Sequence, residues 1–583
     1  LAGFSTKALL CFALMGSIAW AASKPTRKPA ARPAANPAKA WLSKLTLRQQ
    51  VAQLVVVRFY GEAPASNRKL YRELHRLVTV TQVGGMIALN RVRNGIVVNA
   101  EPHAMASFLN RMQRAAPLPL IVGGDFERGA SMRMSGTVKF PHLMAYGAAG
   151  DIEGARFLGA YTAREARAMG VHWVFAPDAD VNNNAGNPVI GLRSFGENPA
   201  EVAKFVSAYI EGAKSETRAP VLVCAKHFPG HGDTNVDSHY GFPVMAMDRE
   251  RLNAIELVPF RAAIAAKVDS IMTAHVTLPA VEPEEVPATV SKNVIGGLLK
   301  RDLGFEGIVT TDAMDMAGLS AKYPPGEAAV RAIEAGVDVL LIPSNADRAV
   351  DGVVKAVESG RISRERIRQS VEKVLAAKVR LGLHRKRLVD VEEISETLDD
   401  EEAATRAQRT ADLAVTLVRN EGAVLPVAKT DSACLYVLSE NRYSPLGRAL
   451  IEQVKDRAPR MGAQWLDSSL PEATFDDLAE RSKTCSTVIA AVFAARLSSP
   501  NTRFLEALIA GPAPVALVSF GNPYLLREFP GAKSYAAAFS TAATAETAVA
   551  KALLGAIPFR GKLPVTIPGL ADYGFGLGQS SSQ

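Results

Sequence analysis

From residue 41 onward, short apolar runs rich in β-branched residues alternate with longer stretches whose apolar positions recur at helical spacing. The short runs are residues 51–57, 83–89, 118–123, 172–176, 221–225, 270–274, 307–310 and 337–342, and each reads as a strand. The first also fits the end of a helix. Between them, 249–267 has the periodicity of an amphipathic helix. Eight β/α repeats over roughly 340 residues predict an α/β chain whose first part is a (β/α)8 TIM-type barrel spanning 41–385, in preference to an open doubly wound sheet. No Gly-x-Gly-x-x-Gly follows the first run, which counts against dinucleotide binding.

After a helix ending near 380–383 the pattern breaks. Residues 384–409 are dense in Arg, Asp and Glu, and 386–404 is read as a charged linker or interdomain helix. Alternation then resumes, with strands predicted at 413–419, 433–438, 487–493 and 514–520 and helices at 502–508 and 544–554. These form a second, smaller α/β sandwich domain over 405–575.

Composition changes this picture only at the N-terminus. The net charge of +9 suggests an anionic partner, but Lys7, Lys24, Arg27, Lys28, Arg32 and Lys39 lie in a stretch without acidic residues, leaving about +3 for the rest. Nothing there points to nucleic acid. Lys7, the apolar run 8–20 and the small-residue pattern Ala19-Trp20-Ala21 together predict a secretory signal peptide over 1–21. The run is too short to span a bilayer comfortably, so no membrane span is expected in the mature form. Residues 22–40, rich in Ala, Pro and Lys/Arg, read as a disordered tether, and the protein is expected outside the cytoplasm, in a periplasm or in the medium. Cys11 leaves with the signal. Cys224, Cys434 and Cys485 are expected as buried free thiols, with a Cys434–Cys485 bridge open to an oxidising compartment.

In a barrel of this kind functional groups gather at the C-terminal ends of strands. Run 118–123 leads into Asp125, Glu127 and Arg128. Run 172–176 leads into Asp178 and Asp180, then a loop to Arg193. Run 221–225 ends in Lys226-His227, 270–274 in His275, and 307–310 in Thr311-Asp312. One polar strand end is ordinary; five describe a polar, sugar-sized pocket.

The densest chemistry is Lys226-His227-Phe228-Pro229-Gly230-His231-Gly232-Asp233-Thr234, followed by Asp237-Ser238-His239. Gly230 and Gly232 let the chain turn sharply. Asp237 and His239, two apart, project the same way from an extended segment. A carboxylate beside an imidazole fixes its tautomer and raises its basicity, which suits a proton donor and acceptor near neutral pH. The loop is not read as a metal site: His231 and His239 are eight apart, with neither a helical His-x-x-x-His nor a Cys partner. No Gly-x-Ser-x-Gly supplies a serine nucleophile.

This combined motif resembles the signature of the β-N-acetylglucosaminidases of glycoside hydrolase family 3. The resemblance extends through Ala176-Pro177 to Phe195, through Ile271-Met272-Thr273-Ala274-His275-Val276, and to Thr311-Asp312-Ala313-Met314-Asp315-Met316. It implies Asp312 as nucleophile, His239 assisted by Asp237 as acid/base, and Asp125, Arg133, Arg193, Lys226 and His227 as sugar-binding residues. The stretch Asp125-Phe126-Glu127-Arg128-Gly129 departs from the family's usual Asp-x-Glu-Gly-Gly-Arg, which bears most on Arg133. Asp315 competes for the nucleophile's role but is expected to cap the following helix. The implied activity is retaining, exo-acting hydrolysis of terminal β-linked N-acetylglucosamine from glycans such as peptidoglycan fragments, by double displacement and without metal or organic cofactor. A phosphorylase or β-glucosidase of the same family and a non-catalytic sugar-binding protein are the rivals; an intact Asp237, His239 and Asp312 argue against the last.

Overall fold

Each of the eight apolar runs supplies a strand or part of one in the computed structural model, which describes residues 36–237, 241, 243–398, 400–494 and 497–578. The strands are β1 (Val55–Phe59), β2 (Gly85–Ala88), β3 (Ile121–Gly124), β4 (Trp173–Val174), β5 (Leu222–Phe228), β6 (Ser270–Thr273), β7 (Ile308–Thr311) and β8 (Leu340–Leu341). They pair in parallel in the order β8-β1-β2-β3-β4-β5-β6-β7. A parallel bridge between Thr310 and Val339 brings β7 against the chain just before β8, so the ring is nearly closed. Apart from Arg58, every residue of these strands is buried, as parallel strands covered on both faces require. The ambiguity at 51–57 has a physical answer. Thr46 and Gln49 form a reciprocal capping box that starts a helix at Leu47–Ala52, and β1 begins three residues later.

The expected helix at 249–267 is two, Arg249–Ala254 and Leu257–Ala265. Residues 1–35, holding the expected signal and most of the tether, lie outside the described residues. Pro37–Leu42, at the tether's end, is helical and packs against helix Arg364–Arg380. The passage 386–404 is attached to the barrel along its length. Asn110 both donates to the Val389 carbonyl (2.8 Å) and accepts from its N–H (3.0 Å), Tyr161 donates to the Thr397 carbonyl (2.8 Å), and Ile394 is fully buried.

The second domain is a six-stranded sheet of β9 (Thr416–Asn420), β10 (Cys434–Ser439), β11 (Gly462–Asp467), β12 (Val488–Val492), β13 (Val515–Ser519) and β14 (Ser534–Ala537), in the order β9-β14-β13-β12-β10-β11. All neighbours are parallel except β9 and β14. Sequence patterning misses two of the six. β11 is a half-exposed edge strand with a polar sequence, Gly-Ala-Gln-Trp-Leu-Asp, and β14 is Ser-Tyr-Ala-Ala, short of β-branched residues. The two cysteines of this domain are not free thiols. Cys434 and Cys485 form a disulfide with Cα atoms 5.9 Å apart, because β10 and β12 are neighbours and Cys434 pairs in register with Val488, three residues past Cys485. Among the described residues Cys224 is the free, buried cysteine.

Barrel and second domain share a core. Met144, Ala145 and Ala148, on the barrel-side helix Leu143–Ala149, are buried in the same apolar cluster as Tyr436, Leu517 and Leu525 of the second domain. No described helix is long and apolar enough to cross a membrane.

Candidate active site

The C-terminal ends of β3, β4 and β5 converge on a lattice of alternating charges. Lys226, 2% exposed at its side chain, places Nζ 2.7 Å from Glu127 Oε1, 3.0 Å from Asp125 Oδ1 and 4.0 Å from Asp178 Oδ1. Arg193 forks onto Glu127 through Nε (3.0 Å) and Nη2 (2.8 Å), and its Nε also lies 3.2 Å from Asp178. Arg133 donates to the other oxygen of Asp125 (3.1 Å). Side-chain exposures of 18%, 19% and 26% for Asp125, Arg133 and Arg193 put these three on the open side, with Lys226, Glu127 and Asp178 beneath them. Buried charges of this kind are tolerable only when paired. Every sequence-predicted sugar-binding residue therefore sits in this cluster, Arg133 included.

The charges tune one another. Burial pushes the Asp125 carboxyl up, but Lys226 and Arg133 outweigh it and hold it below the ordinary range. The same contest ends well below the ordinary value for Glu127, held down by Arg193 and Lys226. For Asp178, which accepts no hydrogen bond, burial dominates and lifts the carboxyl to about 7. Lys226 is held above its ordinary value despite burial by the three carboxylates around it.

His227 is oriented by Asp180, whose Oδ2 lies 2.8 Å from Nδ1 and whose oxygens also accept the backbone N–H groups of His227 (3.2 Å) and His231 (2.7 Å). Nδ1–H donates to the carboxylate, so Nε2 is left to accept from Arg193 Nη2 at 3.2 Å. Burial works against the charged imidazole, but Asp180 raises its pKa above the ordinary value. His231 is different: burial drops it to about 4, so it is neutral, and it packs as a structural residue against Thr234 (2.9 Å).

The loop after β5 bends as its glycines allow. Gly230 has φ of 131°, and a Cβ on Gly232 would come within 1.7 Å of the Val181 carbonyl oxygen. Asn187 fastens the loop by donating to the carbonyls of His231 (2.7 Å) and Gly232 (2.9 Å). Asp237 is half-buried and its carbonyl accepts from Gly241 N–H (3.2 Å). His239 lies outside the described residues, so its pairing with Asp237 is not part of the geometry.

Asp312 follows β7 directly. Its N–H donates to the Thr273 carbonyl at the end of β6 (3.1 Å), and its Oδ1 accepts from Ala313 N–H (2.7 Å). Burial alone would raise this carboxyl, but His227, His275, the Ala313 N–H and Lys226 together lower it below the ordinary range. It is an anion at neutral pH. His275 braces the same turn, with Nε2 donating to the Ala313 carbonyl (3.0 Å) and Nδ1 2.8 Å from the Thr289 hydroxyl. Asp315 does not cap a helix as expected. Helix Ala317–Lys322 starts without a side-chain cap, and Asp315 instead pairs with Arg58 of β1.

Sequence reasoning placed Glu127, Asp178, Asp180 and His275 at strand ends but gave them no role. Each acts by holding another residue, and no local spacing reveals which partner a buried carboxylate will meet. Asp178, Asp180 and His227 bring ligand-type atoms within 4.8 Å of one another. The set does not suit a divalent cation. Asp180 is saturated by the N–H groups of His227 and His231, and Asp178 faces the cations Arg193 and Lys226.

Residues 46–377 match the model of the glycosyl hydrolase family 3 N-terminal domain. The chain belongs to glycosyl hydrolase family 3. Within the family it is similar to the β-N-acetylglucosaminidase/β-glucosidase of Cellulomonas fimi, 28% identical over 90% of this chain and 94% of that protein. It is also similar to β-hexosaminidase A of Pseudoalteromonas piscicida, 31% identical over 66% of this chain and 69% of that one. Among solved structures, a family 3 β-N-acetylglucosaminidase from Paenibacillus sp. superposes with a TM-score of 0.81 at 36% identity, covering 90% of this chain and 99% of that one. The last match spans both domains, so the family 3 barrel and its partner sheet recur together.

Proposed function

We propose that this protein is a family 3 β-N-acetylhexosaminidase that releases terminal β-linked N-acetylglucosamine with retention of configuration. The observation carrying this reading is Asp312, a carboxylate at a barrel strand end that its surroundings keep ionised beside a lattice of sugar-sized hydrogen-bonding groups. Asp312 attacks the anomeric carbon through Oδ2, its Oδ1 being engaged by Ala313 N–H. Asp125, Arg133 and Arg193 present acceptors and donors to the sugar hydroxyls, while Lys226 and His227 complete the floor.

His239, supported by Asp237, protonates the departing oxygen and then deprotonates the water that breaks the glycosyl-enzyme. This pairing rests on the Asp237-Ser238-His239 motif. Peptidoglycan fragments are the proposed natural source of substrate. The proposed location is outside the cytoplasm, supported by the apolar run 8–20 behind Lys7 and by a disulfide suited to an oxidising compartment.

The test compares p-nitrophenyl N-acetyl-β-glucosaminide with the β-glucoside, each with and without inorganic phosphate, following product anomers by NMR. Preference for the N-acetylated substrate, β-configured free sugar as first product and indifference to phosphate are expected. A sugar 1-phosphate as product would make the enzyme a phosphorylase, and preference for the glucoside would refute the proposed specificity.

A further inference from the structure

The loop between Asp180 and Gly196 carries Arg193 into the site, and its far side is built into the second domain. Its neck is closed by Asn182 N–H donating to the Gly196 carbonyl (2.9 Å) and by the Ser194 hydroxyl donating to the Asp180 carbonyl (2.6 Å). Just past the neck, Glu197 N–H donates to the Pro564 carbonyl (2.9 Å). A Cβ on Gly196, whose φ is 153°, would come within 2.5 Å of that same oxygen. The neck of an active-site loop therefore lies directly on second-domain backbone.

One side chain joins this seam to the sugar-binding guanidinium. Asn182, 1% exposed, donates from Nδ2 to the Tyr524 hydroxyl of the second domain (2.9 Å). Through Oδ1 it accepts from Gly191 N–H (3.1 Å), the first residue of the 3-10 turn Gly191–Arg193. Leu192, in the middle of that turn, packs into the apolar cluster shared by the barrel-side helix and the second domain. Arg193, the next residue, points the other way, onto Glu127, Asp178 and His227. Tyr524 is itself buried, and burial pushes its phenol above the ordinary value, so the hydroxyl is neutral and fixed as a hydrogen-bonding group.

We infer that Tyr524 is a positioning residue through which the second domain sets Arg193 for the sugar, acting by way of Asn182 and the Gly191–Arg193 turn. The inference rests on the reading of Arg193 as a sugar-binding group; the contacts from Tyr524 to the turn stand apart from it. A buried amide whose partner hydroxyl is removed must reorganise or remain unsatisfied, and the turn it holds is one residue from the guanidinium. Read as a binding group that holds the sugar alike before and during reaction, Arg193 contributes uniform binding, so loosening it raises KM with little change in kcat.

The experiment is Tyr524→Phe, which keeps the ring and deletes the hydroxyl, measured beside Leu192→Ala and the control Thr410→Val. Thr410 makes an interdomain hydrogen bond of the same kind, to Asp151 (2.7 Å), in a contact that does not lead to Arg193. Tyr524→Phe is expected to raise KM for p-nitrophenyl N-acetyl-β-glucosaminide about five- to twentyfold and to leave kcat within about twofold. Thr410→Val should keep the wild-type KM. In an Arg193→Ala background the Tyr524→Phe effect should vanish, because the group it positions is gone. Wild-type KM in both Tyr524→Phe and Leu192→Ala would overturn the inference, as would a KM effect that persists undiminished without Arg193. Failure of the wild-type enzyme to turn over the substrate would instead refute the proposed function, so the two outcomes are separable.

Discussion

Glu165→Gln should make the protein less stable in mild acid and more stable in mild alkali, with a crossing between. Glu165 lies on helix Ile152–Ala168, is 0% exposed, and accepts the backbone N–H groups of Ala130 (3.2 Å) and Val138 (3.3 Å). It holds both ends of the segment 130–138 that carries Arg133. Burial pushes its carboxyl from the ordinary 4.5 up to about 8, the two N–H groups offsetting only part of that cost. The folded protein therefore keeps this proton to about pH 8, whereas the unfolded chain releases it near 4.5. Between those values the native state binds more protons. Stability falls as pH rises, by about 1.4 kcal/mol per pH unit from this group, and the loss levels off above the folded value. The full span corresponds to an upper bound of about 5 kcal/mol. Glutamine cannot titrate and also turns an amide NH2 toward one of the two N–H groups, costing about 1–3 kcal/mol at every pH. The wild type is then the more stable protein at pH 5 and the variant at pH 9. Urea midpoints for both proteins across that range give the difference, in which all other titrating groups cancel. Parallel curves, or a wild type that gains on the variant toward pH 9, would refute the reasoning.

Asp312→Asn should abolish turnover with the unfolding midpoint retained, measured on the nitrophenyl substrate; activity surviving there and lost in Asp315→Ala would reassign the nucleophile. His239→Ala should slow a disaccharide by about 10²–10⁴-fold but spare glycosylation by a nitrophenyl glycoside, which needs little acid help. With the nitrophenyl substrate a burst, a lowered KM and rescue by azide are expected, and equal losses on both substrates without rescue would remove His239 from the chemistry. Replacing Cys434 and Cys485 together by serine should lower second-domain stability by about 4 kcal/mol on the chain-entropy account of a loop with sequence separation 51, seen as an earlier urea transition that dithiothreitol reproduces in the wild type.

Most of the barrel was legible because parallel strands buried on both faces are continuous apolar runs, and the residue after each run inherits its place at the strand end. Asp312, Lys226 and His227 were placed at strand ends this way, where the structure has them. The edge strand β11 failed the same reading because half of it faces solvent. Asp315 was misplaced because its partner, Arg58, is remote in sequence and meets it only when β1 and β7 stand on the same ring. Glu127, Asp178 and Asp180 escaped assignment for a related reason. A carboxylate that supports a cation leaves no local signature of its own, and which cation it supports is decided by the curvature of the barrel. The Cys434–Cys485 bond likewise depends on β10 and β12 being neighbours, an adjacency that skips over β11 in the chain.

The helix Leu143–Ala149 has one face in the interdomain cluster, with Met144 fully buried and Ala145 and Ala148 nearly so. A barrel cut free at residue 385 would present that face to water together with Leu192. It would also lose the cover that Ile394 and Leu398 supply farther along. Such a fragment would be sticky and inclined to self-associate, and the surface it exposes is the one from which Arg193 is hung. Trimming this enzyme to a minimal barrel therefore calls for repainting the 143–149 helix with polar residues and refastening the Arg193 turn. Shortening the gene alone would give a chain that aggregates before its affinity for sugar could be measured.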